Sequence, residues 1–157
     1  MAQLHSMESR TGRTNQRYGT KGERLVAGVV PLSPDKTKVL MIQSAGPGGW
    51  VLPKGGWETD EAAAEAACRE AWEEAGVICT VQRDLGVIPD MRASALLTAN
   101  APKASYQFFE VTVDEERDEW PERYKRKRQW VGYLQAATAL ANRPELLEAL
   151  NRSSLKR

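Results

Sequence analysis

Apolar and polar positions divide the chain into short strands, one long helix and two shorter ones. Leu25 to Val30 is an almost unbroken apolar run with a β-branched bias, the pattern of a buried strand. Ser33-Pro34-Asp35-Lys36 has turn chemistry and Val39 to Ile42 reads as a strand, so the two strands predict a hairpin. Ala45 to Gly49 reads as a flexible loop, and Trp50 to Leu52 as a short strand halted by Pro53. The period then becomes helical. Asp60 and Glu61 open the helix where its dipole favours negative charge, and Ala, Glu and Arg fill its middle. Gly76 sits where a left-handed C-cap residue belongs. Val77 to Val81 and Leu85 to Ile88 predict two further strands, and Arg92 to Ser105 a loop with a helical turn around Leu96-Leu97. Tyr106 to Val113 is a strand, Asp114 to Tyr124 an acidic loop and Gln129 to Tyr133 a last strand. Leu134 to Ala141 and Pro144 to Leu150 are helices, Pro144 suiting a first turn. Strands, helix, strands and helices amount to an α/β sandwich.

Composition narrows this. At 157 residues the chain suits one domain, residues 21–157, behind a polar, flexible segment 1–20. No apolar run approaches the roughly 20 residues of a membrane span, and no apolar signal region leads the chain. Cys68 and Cys79 lack framework spacing and read as reduced thiols. The expectation is a cytoplasmic monomer, with Lys125 to Arg128 open as a nuclear address. His5, the sole histidine, lies in the leading segment, which argues against histidine catalysis. Net charge is only +1, but it is segregated. Residues 58–74 carry seven acids and one base; residues 123–128 carry five bases, and residues 10–24 five bases and one acid. An acidic helix flanked by basic segments suits a highly anionic substrate held through cations, although basic runs are often only solvated surface.

The acids carry the chemistry. At about 100° per residue, Glu73 lies about 60° behind Glu70 and Glu74 about 40° ahead, so three carboxylates share an arc of about 100°. Crowded carboxylates raise one another's pKa unless a cation sits among them, and hard oxygen donors suit Mg²⁺. Arg69 is one turn from both Glu65 and Glu73. A glutamate-rich helix face is usually just solvated, so these acids alone would not mark a site. The ordered set of Gly55, Glu61, Arg69, Glu70, Ala71, Glu73, Glu74, Gly76 and Val77 does: it resembles the complete Nudix box, spanning residues 55–77.

That resemblance implies the mixed-sheet α/β/α fold and hydrolysis of a diphosphate linked to another moiety. It implies that Glu70 and Glu74 are Mg²⁺ ligands, with Mn²⁺ or another divalent ion as substitutes. It makes Glu73 a further ligand or the base that activates water, Arg69 its orienting partner, and the Lys54 carbonyl a metal contact. Which glutamate is the base stays open.

Four flanking stretches narrow the family. Arg24-Leu-Val-Ala-Gly28, Trp50-Val-Leu-Pro-Lys-Gly-Gly56, Arg126-Lys-Arg128-Gln-Trp130 and Arg143-Pro-Glu-Leu-Leu-Glu-Ala-Leu150 resemble the diphosphoinositol polyphosphate phosphohydrolases, fungal members especially. The resemblance implies cleavage of the β-phosphate of inositol pyrophosphates, and of diadenosine polyphosphates and inorganic polyphosphate. By it, Arg24, Arg126 and Arg143 look like phosphate binders, with Lys21, Arg13, Ser44 and Lys54 as further candidates. Forked arginine donors match phosphate oxygens, which agrees. Ala45 stands where animal members have arginine, and Lys54 replaces a glycine of those members. Trp50, Trp57, Trp72, Trp120 and Trp130 read as packing residues rather than a base clamp. The competing readings are a pyrophosphatase for capped RNA or nucleotide sugars, and a catalytically silent phosphate sensor. A general RNA-binding module is disfavoured, because the basic segments lack interleaved aromatics.

Overall fold

The computed structural model describes residues 5–46, 49–93, 96–97 and 103–157. Residues 47–48 of the expected loop and residues 94–95 and 98–102 of the Arg92–Ser105 loop lie outside it. The elements are β1 (Arg24–Leu32), β2 (Val39–Gln43), β3 (Trp50–Val51), β4 (Lys54–Gly56), α1 (Ala63–Ala75), β5 (Val77–Pro89), β6 (Ala104–Glu116), β7 (Arg128–Val131), α2 (Tyr133–Ala139) and α3 (Pro144–Arg152).

The seven strands form one sheet with the central order β3-β2-β1-β6-β5; β4 pairs with β1 and β7 with β2. β1 and β6 run parallel, from Arg24 beside Ala104 to Leu32 beside Thr112, while the other pairs are antiparallel, so the sheet is mixed. β1 is buried from Val26 onward, as its apolar run requires. Ala66, Ala67, Ala71 and Ala75 are fully buried along one side of α1. Small residues there let α1 approach β1, β4 and β5 closely, which is why the apolar position of the motif tolerates Ala71.

Several expectations change. Gly55 and Gly56, which by their backbone freedom suit a loop, instead pair with β1 as part of β4, Gly55 opposite Ala27 and Gly56 opposite Val26. Asp60 and Glu61 precede α1 rather than opening it. Ala62 is the N-cap, and Glu65 accepts its N–H at 2.9 Å. The two strands expected between Val77 and Ile88 are one bulged strand, β5. The polar residues 82–84 that suggest a break lie where its register shifts, and there Asp84 Oδ1 accepts the Gly86 N–H at 2.7 Å. β6 reaches Glu116, beyond its apolar run, because Glu115 and Glu116 still pair with Ile78 and Val77. Tyr133 opens α2 rather than closing β7. At Leu96 the expected turn is present as one bond, its N–H donated to the Ala93 carbonyl at 2.9 Å.

Residues 5–20, whose composition suggested a loose segment, run across α1 and the sheet edge. His5 packs its ring against Trp72 at 4.9 Å, and Trp72 Nε1 donates to the Ser6 carbonyl at 2.7 Å. Gln16 bridges to Glu58, and Tyr18 to Arg24.

Gly76 ends α1 in the left-handed region, φ 67°. Its missing Cβ makes room for Trp120, whose ring atoms lie 2.6 Å from where that carbon would stand. Trp120 is 8% exposed, donates Nε1–H to the Glu74 carbonyl at 3.2 Å, and carries the Arg128 guanidinium 4.2 Å above its ring. Gly76→Ala therefore combines left-handed strain with a clash against an anchored ring. It is expected to lower unfolding stability by about 2–4 kcal/mol, measured by urea denaturation.

Candidate active site

α1 brings Glu70, Glu73 and Glu74 to one wall of a cleft of about 320 Å³. Gly55 and Gly56 of β4 line it too, together with Arg10, Arg13, Gln16 and Arg24. Gly55 is required sterically, because a Cβ there would lie 2.3 Å from the Glu70 carboxylate.

Arg69 is the hub. Its Nε and a terminal nitrogen donate to the two oxygens of Glu61, at 3.0 and 2.7 Å. The same terminal nitrogen donates to the Gly56 carbonyl at 2.9 Å, and the other to Glu70 at 3.0 Å and Glu73 at 3.3 Å. Glu65, the other expected partner, is used at the helix cap instead. The motif's remote Glu61 is thus the carboxylate that fixes Arg69, and Arg69 in turn fixes Glu70 and Glu73.

All three cleft glutamates are buried, and burial is the main force raising their pKa. Glu74 adds to the rise at Glu70, while Arg69 opposes it. At Glu74, Arg126 and Lys54 oppose the rise. Burial also works against the Arg69 charge, but Glu61 and the neighbouring acids outweigh it and hold that guanidinium firmly protonated.

The candidate substrate residues separate into two groups. Arg126 faces inward and is already engaged: it donates to Glu122 and to the Gln43 carbonyl, both at 2.8 Å, and lies 3.5 Å from Glu74. Arg10, which sequence reasoning did not single out, donates its N–H to Glu73 at 3.2 Å and its guanidinium to Glu58 and Asp60. Its membership of the basic segment 10–24 was the available signal. By contrast, Arg13, Arg24, Lys54 and Arg143 form no ion pair among the described residues. Arg24 is half-buried and held through Nε by Gln16 at 2.9 Å; burial and the nearby Arg13 charge lower its pKa. Lys54 donates its backbone N–H to Glu74 at 3.1 Å, and burial lowers its ammonium pKa. Arg143 stands outside the cleft, close enough to act electrostatically on Lys54. Lys21 is exposed in the turn before β1, and Ser44 Oγ accepts the Gly46 N–H at 3.3 Å; neither lines the cleft.

None of the tryptophans lines the carboxylate cleft. Trp57 carries Arg17 at 4.6 Å over its ring and donates to the Glu61 carbonyl; Trp130 donates to Glu116. These are packing roles.

Among the described residues, no three acids, histidines or cysteines already converge at ligand distance, because Arg69, Arg126 and the Lys54 N–H hold the oxygens. The donor set nevertheless fits a hard divalent cation. It is all oxygen, desolvated, crowded and backed by a glycine that leaves room at Glu70.

A profile of the NUDIX domain matches residues 22–150. The chain is 40% identical over 140 residues to Nudix hydrolase 18, mitochondrial, of Arabidopsis thaliana, covering 83% of this chain and 76% of that protein. In fold it resembles a NUDIX hydrolase from Nitrosomonas europaea, with TM-score 0.68, 18% identity and 83% and 87% of the two chains covered. It also resembles a C. elegans Ap4A hydrolase, with TM-score 0.62, 22% identity and 82% and 93% covered.

Two outcomes test this geometry. A carboxyl whose pKa is raised on folding contributes stability below its unfolded value, and loses it as pH rises through its folded value. Without divalent cations, thermal stability should therefore fall between pH 5 and pH 9, and millimolar Mg²⁺ should raise Tm more at pH 8 than at pH 5, read by calorimetry. Arg69→Leu strands buried Glu61, Glu70 and Glu73, and is expected to cost about 3–5 kcal/mol in the same denaturation assay.

Proposed function

The chain belongs to the Nudix hydrolase family, whose members act on pyrophosphate-containing substrates and generally use Mg²⁺ or another divalent metal; from that premise we propose that it removes the β-phosphate of diphosphoinositol polyphosphates. Diadenosine polyphosphates and inorganic polyphosphate are proposed as additional substrates, consistent with the fold likeness to an Ap4A hydrolase. The observation that carries this reading is the set of cations left without ion pairs. Arg13 and Arg24 line the carboxylate cleft, with Lys54 and Arg143 beside it. Cations without a carboxylate partner, in and beside an acidic cleft, suit an anion bearing many phosphates.

In this proposal Glu70 and Glu74, with the Lys54 carbonyl, would hold Mg²⁺. When bound, the ion would neutralise pyrophosphate oxygens and lower the pKa of water. Glu73 takes the proton of the attacking water, with Arg69 and the Arg10 N–H fixing its carboxylate. Arg24 and Arg13 grip phosphates beside the reacting group, and Arg143 with Lys54 grips those further along. Arg126 steadies Glu74 from behind, so its contribution to phosphate binding is indirect.

Among the described residues no helix is long and apolar enough to cross a membrane. A cytoplasmic, monomeric enzyme remains our proposal, although the Arabidopsis relative is named as mitochondrial.

The test is phosphate release from a 5-diphosphoinositol polyphosphate with Mg²⁺, beside diadenosine hexaphosphate and polyphosphate. Glu73→Gln should lose at least ~100-fold in kcat with folding intact, and Arg24→Ala should lose mainly in KM. A wild type that leaves the inositol pyrophosphate untouched would exclude the substrate and keep the family.

A further inference from the structure

Residues 5–10 cross α1 and reach the cleft where the Arg10 N–H donates to Glu73 Oε2 at 3.2 Å. Arg69 alone does not orient that carboxylate. One of its terminal nitrogens stands 3.3 Å from Glu73 Oε1 and 3.3 Å from Oε2, and is shared with Glu70 at 3.0 Å. A donor placed equally on both oxygens sets no preference between them. The Arg10 N–H breaks the tie, because it occupies Oε2 and leaves Oε1 with Arg69 alone among the described residues. An oxygen that takes a proton needs an open lone pair held in a fixed direction, so this donor decides which oxygen that is.

A backbone N–H is aimed only by the anchoring of its segment. Four residues earlier, the Ser6 carbonyl accepts Trp72 Nε1–H at 2.7 Å, and the His5 ring packs on Trp72 at 4.9 Å. One residue earlier, Ser9 Oγ donates to Glu122 Oε2 at 2.7 Å. Glu122 is itself fixed: its other oxygen accepts Arg126 Nε at 2.8 Å, and its N–H donates to the Glu73 carbonyl at 3.1 Å. Trp72 precedes Glu73 by one residue and so points about 100° away from it around α1. The segment therefore grips α1 on a face outside the cleft and delivers its N–H inside it. A cavity of about 400 Å³ separates parts of the segment from α1 and β5, with His5, Glu8, Cys68, Trp72 and Ile78 among its walls. The segment is thus held by its anchors rather than by continuous packing.

We infer that residues 6–10 are a clamp on Glu73, and that Trp72 and Ser9 are its positioning residues. Trp72 holds the clamp on the back of the helix, and Ser9 ties it to the loop between β6 and β7. Both act through the Arg10 N–H. The inference rests on the proposed function in taking Glu73 as the group that accepts the proton of water. The clamp governs turnover rather than substrate binding. Beyond Arg13 the chain is held independently, since Gln16 Nε2 donates to the Leu25 carbonyl at 2.7 Å and the Arg17 N–H to the Trp57 carbonyl at 2.9 Å.

The test uses the full chain. Trp72→Phe keeps an aromatic ring and loses the N–H; Ser9→Ala loses the hydroxyl, and Ser9→Thr keeps one. The first arm reads hydrogen exchange of the Arg10 amide by NMR, without metal or substrate. Trp72→Phe and Ser9→Ala should each speed that exchange about tenfold or more while protection along α1 is unchanged, and Ser9→Thr should match wild type. Unchanged Arg10 exchange in both variants, or protection lost along all of α1, overturns the clamp. The second arm measures phosphate release from the three proposed substrates at saturating Mg²⁺. In Trp72→Phe and in Ser9→Ala kcat should fall about tenfold or more with KM within about threefold, and Ser9→Thr should keep the wild-type kcat. Added to Glu73→Gln, the same substitutions should change kcat by less than about twofold, because the oxygen they aim is no longer a base. An equal fall in that background, or a loss confined to KM, overturns the inference. Should wild type release no phosphate from any of the three, the proposed function fails, and the Arg10 exchange alone decides the clamp.

Discussion

One guanidinium holds the site together. Arg69 joins Glu61, ahead of α1, to Glu70 and Glu73 on α1 and to the Gly56 carbonyl of β4. Helix, preceding loop and strand therefore meet at a single side chain. Each acid it binds is buried, so each would be costly without it. The repulsion among these acids is what makes the cleft receptive to a cation, and Arg69 keeps that repulsion from prying α1 off the sheet.

The distribution of the arginines follows from the same principle. Those that meet carboxylates, Arg10, Arg69 and Arg126, are consumed in building the cleft. Those that meet only neutral acceptors, such as Arg24 on Gln16, retain their full charge for a ligand. Position in a basic run does not distinguish the two groups. Residues 123–128 read as one cationic patch, yet Arg126 is spent on Glu122 and Arg128 on the α1 carboxyl end and Trp120.

The fold class, most strand positions and the convergence of the three glutamates were legible, because apolar runs and helical spacing are local signals. What escaped depended on partners far along the chain. β4 is three residues with two glycines, and only pairing with β1 makes it a strand. The polar residues of β5 look like a break until β6 is seen to continue past them. Arg10 reaches acids some fifty residues away, and nothing local to it marks that reach.

The parallel β1–β6 pair has a consequence for synthesis. Every partner in it, from Arg24 with Ala104 to Leu32 with Thr112, is eighty residues from its mate. Pairing at that separation is slow to nucleate, because the intervening chain must be confined before any bond repays the loss. A nascent chain emerging from the ribosome thus leaves one edge of β1, the most continuous apolar strand, unpaired until β6 follows, with β2 and β4 able to reach only its other edge. This molecule should rely on chaperones most in the interval between the emergence of residue 32 and that of residue 112.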